Sequence, residues 1–201
     1  GTYSVPGSKL SASFATLAAR NPGALDTVAE AGLNKGSSAN GCHACEVEID
    51  PSTGAIEIVN YTAVDDFGSV INGAIVRGQV QGGVAQGIGQ ALLEQAPMPD
   101  DLLRPATTSC FGYALPRAAD VPDVGWTDNG LPSRTNIFGA KACGESGASA
   151  APPAVMNAIV DALRAHARAW DLQMPARPQA IWSVLQPEAI DAKGGRAARA
   201  T

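Results

Sequence analysis

One residue whose type could do chemistry in this sequence is a carboxylate, Glu145, inside a loop of small residues. The loop covers residues 139–147 and leads into a predicted helix. A carboxylate there can act as a general base, and it can also cap the start of the helix. The loop taken alone favours capping. Desolvation by the small neighbours would make the carboxylate a stronger base.

A second candidate is the pair Cys42 and Cys45, two of only four cysteines in the chain. The Cys-x-x-Cys spacing suits a zinc or redox site, but no second pair completes a zinc site and the order is wrong for haem attachment. Cys45, Val47 and Ile49 alternate as in a strand. We therefore favour a structural role and predict no metal site, with a metal or redox module as the weaker alternative.

A glycine-rich helix is predicted over residues 75–95. Its interior glycines are Gly78, Gly82, Gly83, Gly87 and Gly89. Each glycine costs roughly 1 kcal/mol of helix stability relative to alanine. Close approach of the helix backbone to another helix or to a bound group must offset this cost. Either Gly83 and Gly87 allow close helix packing, or they leave room for a bound group. The spacing matches neither a dinucleotide fingerprint nor a Walker phosphate loop.

Composition excludes several classes of protein. The formal net charge of −5 gives no basic face for nucleic acid. No apolar stretch approaches the roughly 20 residues of a membrane span.

The few cysteines favour the cytoplasm, with the periplasm as an alternative if a partner exports the chain. Because the chain begins with Gly1, we expect its natural start to lie upstream or to have been processed.

Local patterns predict the elements that must position these residues. A short helix is expected over residues 11–20, ending at a Pro-Gly pair, and a loop over residues 24–40. Residues 45–50 and 55–63 alternate in the manner of strands on either side of a turn that contains Pro and Gly. This pattern predicts a β-hairpin.

The rest of the chain is predicted to contain loops and one further helix. Residues 97–105 and 115–132 are expected to be loops, and a helix near residues 153–168 follows the pair Pro152-Pro153. We predict an α+β fold in which the hairpin joins a mixed sheet packed against the two helices. One region is expected over residues 1–186, followed by a disordered tail over residues 187–201.

Three stretches together resemble the C-terminal portion of the molybdopterin-binding large subunit of the molybdenum hydroxylases. This family includes xanthine dehydrogenase, aldehyde oxidoreductase and carbon monoxide dehydrogenase-like enzymes. The stretches are residues 40–54, residues 63–94 with Ala63-Val64-Asp65-Asp66-Phe67-Gly68 and Gly82-Gly83-Val84-Ala85-Gln86-Gly87, and residues 139–158 with Gly144-Glu145-Ser146-Gly147. The similarity covers roughly residues 14–185 in the family's order.

The resemblance implies a site and a reaction. Glu145 matches the family's active-site glutamate and would act as a general base that removes a proton from the water-derived oxygen nucleophile. Gln86, with Gly83 and Gly87, matches the segment that approaches molybdopterin cytosine dinucleotide, and Gly144 lies next to the glutamate. The implied substrate is an aldehyde or an N-heterocycle.

The resemblance also implies that this chain works with other segments. The family's large subunit is several times longer, so the molybdenum cofactor would be shared with an N-terminal portion of that subunit. Iron–sulfur clusters and FAD, where used, would lie on partner subunits, since the cysteine spacing here cannot ligate a cluster. The alternative is a non-catalytic remnant that serves as a structural or assembly module of such an enzyme.

Overall fold

The computed structural model describes residues 1–30, 36–96 and 110–186, and the chain divides into two compact units, Gly1–Asn34 and Lys35–Thr201. The first unit pairs β1 (Thr2–Ser4) with β2 (Ser11–Ser13) in antiparallel fashion and continues into α1 (Phe14–Arg20). The side chain of Ser13 caps α1 by accepting from the amide of Thr16 at 3.1 Å. The predicted helix is therefore confirmed, but its first three residues form a strand.

The second unit is built on a three-stranded mixed sheet in the order β3-β4-β5. β3 (Asn40–Ile49) and β4 (Ile56–Asp66) form the predicted hairpin, and β5 (Val124–Asp128) lies parallel to β4. At the turn, Gly54 has φ of +73°, and a Cβ there would lie 2.1 Å from the carbonyl oxygen of Pro178. The predicted α+β class, with a hairpin in a mixed sheet, is confirmed.

The strand β5 corrects the prediction of an uninterrupted loop over residues 115–132. Its five residues include Gly125, which weakens any strand signal. Val124 is buried and Trp126 is partly buried, which is the expected alternation. A parallel partner distant along the chain leaves no local mark, so only the tertiary structure reveals this pairing.

Two long helices pack against each other and against the sheet. α2 (Gly73–Leu92) begins after Asn72, whose side chain accepts from the amide of Ile75, and it closely matches the predicted helix. α3 (Ser146–Ala162) begins seven residues earlier than predicted and ends before residue 168. Its two prolines lie inside the helix. Because proline removes a helical hydrogen bond, the sequence favoured a later start than the one observed.

A last helix and a shared core complete the unit. α4 (Pro178–Leu185) was not predicted, and Ile181 and Val184 are its buried residues. Three short 3-10 helices cover Cys110–Gly112, Ala118–Asp120 and Ala167–Asp171. The fully buried large side chains are Tyr61, Phe67, Val80, Val84, Ile88, Val155, Ile159 and Ile181.

Two predictions, the loop over residues 97–105 and the tail over residues 187–201, lie outside the described residues. Within the described ranges, no helix has both the length and the apolar character needed to cross a membrane.

Candidate active site

The interior glycines of α2 are explained by the contact with α3. A Cβ on Gly83 would lie 2.8 Å from the amide nitrogen of Ala148, and one on Gly87 would lie 2.6 Å from the Cβ of Ala151. On the opposite helix, a Cβ on Gly147 would lie 2.5 Å from the carbonyl oxygen of Val80. Helix packing, the first of the two explanations considered for Gly83 and Gly87, therefore accounts for both. Their contact with a cofactor stays a prediction.

The start of α3 forms one side of a cleft of about 610 Å³. The other side is the beginning of β3 and the segment before it. The lining residues are Ser38, Ala39, Asn40, Gly41, His43 and Asp65 on the strand side, and Ala142, Cys143, Gly144, Glu145, Ser146, Ser149 and Ala150 on the helix side. A hydrogen bond of 3.4 Å from the amide of Ala142 to the carbonyl of Ser37 joins the two sides.

Glu145 occupies the N-cap position of α3 and is exposed. Within the described part of the chain its side chain makes no capping hydrogen bond, so the capping role considered from the sequence is absent there. Its backbone carbonyl accepts from the amide of Ser149 at 3.0 Å. The described residues also do not form the apolar enclosure expected from the sequence, because Ala142 and Gly144 are exposed as well. The carboxylate is therefore available to another group.

The structure places Gln86 away from this cleft and brings another glutamine close to it. A Cβ on Gly144 would have the side-chain oxygen of Gln79 as its nearest neighbour, at 3.7 Å. Gln86 lies two turns further along α2, about 10 Å along the axis, and it is exposed. Of the four predicted cofactor-binding residues, Gly144 lines the cleft, Gly83 and Gly87 pack against α3, and Gln86 is exposed on α2.

A buried hydrogen-bonded cluster on the strand side was missed by the sequence interpretation. The ring of His43 is hydrogen-bonded through Nδ1 to the hydroxyl of Tyr61 at 2.8 Å and through Nε2 to Oδ1 of Asp65 at 3.2 Å. The indole N–H of Trp126 donates to Oδ2 of Asp65 at 3.1 Å. The side chains of His43 and Asp65 are each only 2% exposed. We call these four residues the strand cluster.

The hydrogen bonds of the strand cluster assign a tautomer to His43. The Asp65 carboxylate can only accept, so Nε2 carries a proton, and in the neutral ring Nδ1 then accepts from the hydroxyl of Tyr61. Burial, with Cys45 and Asp65 nearby, raises the pKa of Tyr61 well above its usual range and keeps the phenol protonated. In residues 1–30, 36–96 and 110–186, every buried side-chain nitrogen and oxygen has a partner.

A sequence signal for the strand cluster existed. Strand alternation places His43 on the inward face of β3 with Cys45, Val47 and Ile49, and a histidine there needs polar partners. A second signal is a glycine inside the strand, Gly41. In the structure a Cβ at that position would lie 2.2 Å from Oδ1 of Asp65, so the close approach of this side chain requires glycine.

The two cysteines of β3 do not form a joint site. Cys42 is exposed and Cys45 is partly buried, as expected for residues three apart in a strand, which point to opposite faces. Burial raises the pKa of the Cys45 thiol to about 11. Among the described residues, no group of three potential metal ligands is found. The structural role predicted for Cys45 fits this geometry.

Comparison with known proteins identifies the family. Residues 7–122 match the family model described as a molybdopterin cofactor-binding domain. The chain belongs to this family. The nicotine 6-hydroxylase large subunit of Paenarthrobacter nicotinovorans is 39% identical over 142 residues, which are 71% of this chain and 17% of that protein. The carbon monoxide dehydrogenase large chain of Hydrogenophaga pseudoflava is 32% identical over 146 residues, 73% of this chain and 18% of its own length.

A solved structure is also similar to this member of the molybdopterin cofactor-binding family. Quinoline 2-oxidoreductase from Pseudomonas putida 86 aligns with a TM-score of 0.66 and 40% identity, over 73% of this chain and 18% of that one. The resemblance to the molybdenum hydroxylases is thereby confirmed. The chain spans less than a fifth of the length of each of these proteins.

The lining of the cleft is polar on both sides. Ser146 and Ser149 lie on the helix side with Gly144, which has no side chain, and Ser38 and Asn40 lie on the strand side. The first turn of α3 presents backbone N–H groups, which favour anionic groups, so these residues fit a polar, anionic cofactor. The space in which a Cβ of Gly83 or Gly87 would stand is filled by α3, and contact of these two glycines with a cofactor stays a prediction.

Proposed function

We propose that this chain supplies the glutamate of a molybdenum hydroxylase that oxidises an aldehyde or an N-heterocycle with oxygen from water. The observation that supports this most is the placement of Glu145, an exposed carboxylate at the edge of a cleft, free of a capping hydrogen bond within the described residues. An N-heterocyclic substrate is favoured, because two of the proteins similar to this chain are named for nicotine and quinoline.

In this proposal the molybdenum cofactor, as molybdopterin cytosine dinucleotide, supplies the two-electron chemistry when bound. Glu145 acts as the general base that removes the proton from the water-derived nucleophile. Ser146, Ser149 and Asn40 line the cleft beside it and are placed to orient polar groups. Closure of the exposed side of the cleft excludes water and has to come from outside the described residues.

The partner that closes the cleft is proposed to be the N-terminal portion of the molybdenum-binding subunit. Iron–sulfur clusters, and FAD where it is used, are placed on separate subunits. One relative is named as subunit gamma of a dehydrogenase complex, which supports a multi-subunit assembly. A cytoplasmic location stays a prediction that rests on the low cysteine content.

The decisive experiment compares Glu145→Gln with the wild-type chain, each co-expressed with the proposed N-terminal portion of the molybdenum-binding subunit. General-base catalysis contributes typically 10²–10⁴-fold, so turnover should fall by about that factor while molybdenum and pterin content stays unchanged. Glu46→Gln, an exposed glutamate of β3, is the matched control and should keep full turnover. Full turnover by Glu145→Gln would disprove the assignment.

The second candidate function is a non-catalytic structural or assembly module. It is favoured by one observation, that the glycine-rich α2 packs against α3 without needing a cofactor. Mass spectrometry of the co-expressed complex separates the two functions. Stoichiometric pterin and molybdenum would support the enzyme component, and a stable complex that lacks both would support the module.

A further inference from the structure

Asp66 joins three separate segments of the chain close to Glu145. Its Oδ1 accepts from the amide of Gly68 at 3.0 Å and from the amide of Leu131 at 2.9 Å. Its Oδ2 accepts from the ammonium group of Lys141. The side chains of Asp66 and Lys141 are 16% and 13% exposed, so this is a largely buried ion pair. Charge-assisted hydrogen bonds of this kind are stronger than neutral ones.

The ion pair fixes a backbone contact that leads directly to Glu145. Residues 139–141 run alongside residues 67–69, because the amide of Lys141 donates to the carbonyl of Phe67 at 2.8 Å and the amide of Ser69 donates to the carbonyl of Gly139 at 2.9 Å. The two backbones approach so closely that a Cβ on Gly68 would lie 2.2 Å from the carbonyl oxygen of Gly139. Lys141 lies four residues before Glu145 in the sequence.

Glu145 is thus held between two anchors. On its C-terminal side, Gly147 is fixed against α2 by close backbone contact. On its N-terminal side, the segment 139–144 is held by the ion pair, by its backbone hydrogen bonds to residues 67–69, and by the bond from the amide of Ala142 to the carbonyl of Ser37. A short segment fixed at both ends holds its residues in a narrow range of positions, whereas release of one end lets Glu145 move.

We propose that Asp66 and Lys141 are positioning residues that set the location of Glu145 in the cleft. The kinetic part of this proposal rests on the proposed function of Glu145. The structural part does not, because it concerns only the order of the segment between Lys141 and Glu145.

The first test measures hydrogen exchange of the full chain by mass spectrometry. Asp66→Asn and Lys141→Met should each raise exchange at the amides of Ser69, Lys141 and Ala142 by about tenfold or more, through local opening. The hairpin amides of β3 and β4 should keep their protection. Lys141→Arg should restore protection, since a guanidinium also donates to a carboxylate. Arg164→Met is the control, because its pair with Asp161 is highly exposed.

The second test measures kinetics of the same variants in the assembled enzyme. Misplacement of a catalytic group by about 1 Å can cost 10²-fold, so kcat should fall about 10- to 100-fold with KM changed by less than about twofold. Lys141→Arg should recover most of kcat. Unchanged exchange in both Asp66→Asn and Lys141→Met would overturn the proposal, and so would raised exchange with wild-type kcat. Activity retained by Glu145→Gln would instead reject the proposed function and leave the exchange result standing.

Discussion

The two sides of the cleft differ in how much of their environment this chain provides. On the strand side, His43 and Asp65 are almost fully buried and bonded to Tyr61 and Trp126. On the helix side, Glu145 is exposed at the edge of the cleft. The polar side chains of the strand cluster therefore find their hydrogen-bond partners within the described chain. On the helix side the backbone is fixed, but the carboxylate of Glu145 is exposed. The difference separates residues whose polar groups are satisfied inside this unit from an exposed residue that makes no capping hydrogen bond within the described residues.

The largest effect should follow from loss of the strand cluster. Asp65→Ala removes the acceptor of both Trp126 and His43 and leaves one buried and one partly buried donor without a partner. Each such donor costs about 1–3 kcal/mol, so we expect the free energy of unfolding to fall by roughly 3 kcal/mol, measured by urea denaturation. Glu46→Ala, on the same hairpin but exposed, should change it by less than about 0.5 kcal/mol. Equal effects in the two variants would contradict the conclusion that the buried strand cluster stabilises this unit.

The next effect tests how the helix side is anchored. Gly83→Ala places a methyl group 2.8 Å from the backbone nitrogen of Ala148, so overpacking should destabilise the chain by about 1–3 kcal/mol. At the neighbouring Gly82, a Cβ would meet no atom of the described chain within 4 Å. Gly82→Ala should therefore stabilise the helix by up to about 1 kcal/mol. Thermal unfolding of the two variants should shift in opposite directions, and a shared direction would contradict the packing explanation.

A smaller, pH-dependent effect is expected at Asp66. Hydrogen bonds from Lys141 and from the amides of Leu131 and Gly68 lower the pKa of Asp66 from 3.8 to about 2. A lowered pKa means that this carboxylate contributes stability that is fully present above pH 3.8 and is lost as the pH falls through about 2. Wild type should exceed Asp66→Asn in stability at pH 6, and the two should converge near pH 2. A gap that stays constant down to pH 2 would argue against the ionic contact.

The smallest effect on stability is expected at Glu145 itself. Glu145→Ala removes an exposed side chain that makes no capping hydrogen bond within the described residues, so the free energy of unfolding should change by less than about 0.5 kcal/mol. Differential scanning calorimetry of the chain alone provides the measurement. A fall in the free energy of unfolding above 1.5 kcal/mol would show that the carboxylate has a structural partner. Side chains on both sides of the cleft would then stabilise the fold.

Much of the fold could be predicted because its signals are local. The alternation of β3 and β4, the turn between them and the long α2 follow from residue patterns within short windows. The start of α3 was placed too late because Pro152 and Pro153 argue locally against a helix that packing nevertheless stabilises. β5 was missed because the residues with which it pairs, Tyr61–Asp65, lie 63 positions earlier in the chain.

The candidate site divides in the same way. The sequence by itself determined that Glu145 lies in a loop of small residues that leads to a helix, and that α2 contains more glycine than helix propensity allows. Only the tertiary structure decided that α3 begins directly after Glu145, what the glycines of α2 contact, that Gln86 does not line the cleft, and that His43, Asp65, Tyr61 and Trp126 form one cluster. The reason is physical: propensity and capping act over one or two turns, whereas close packing and buried hydrogen bonds join residues whose neighbours are known only once the chain has folded.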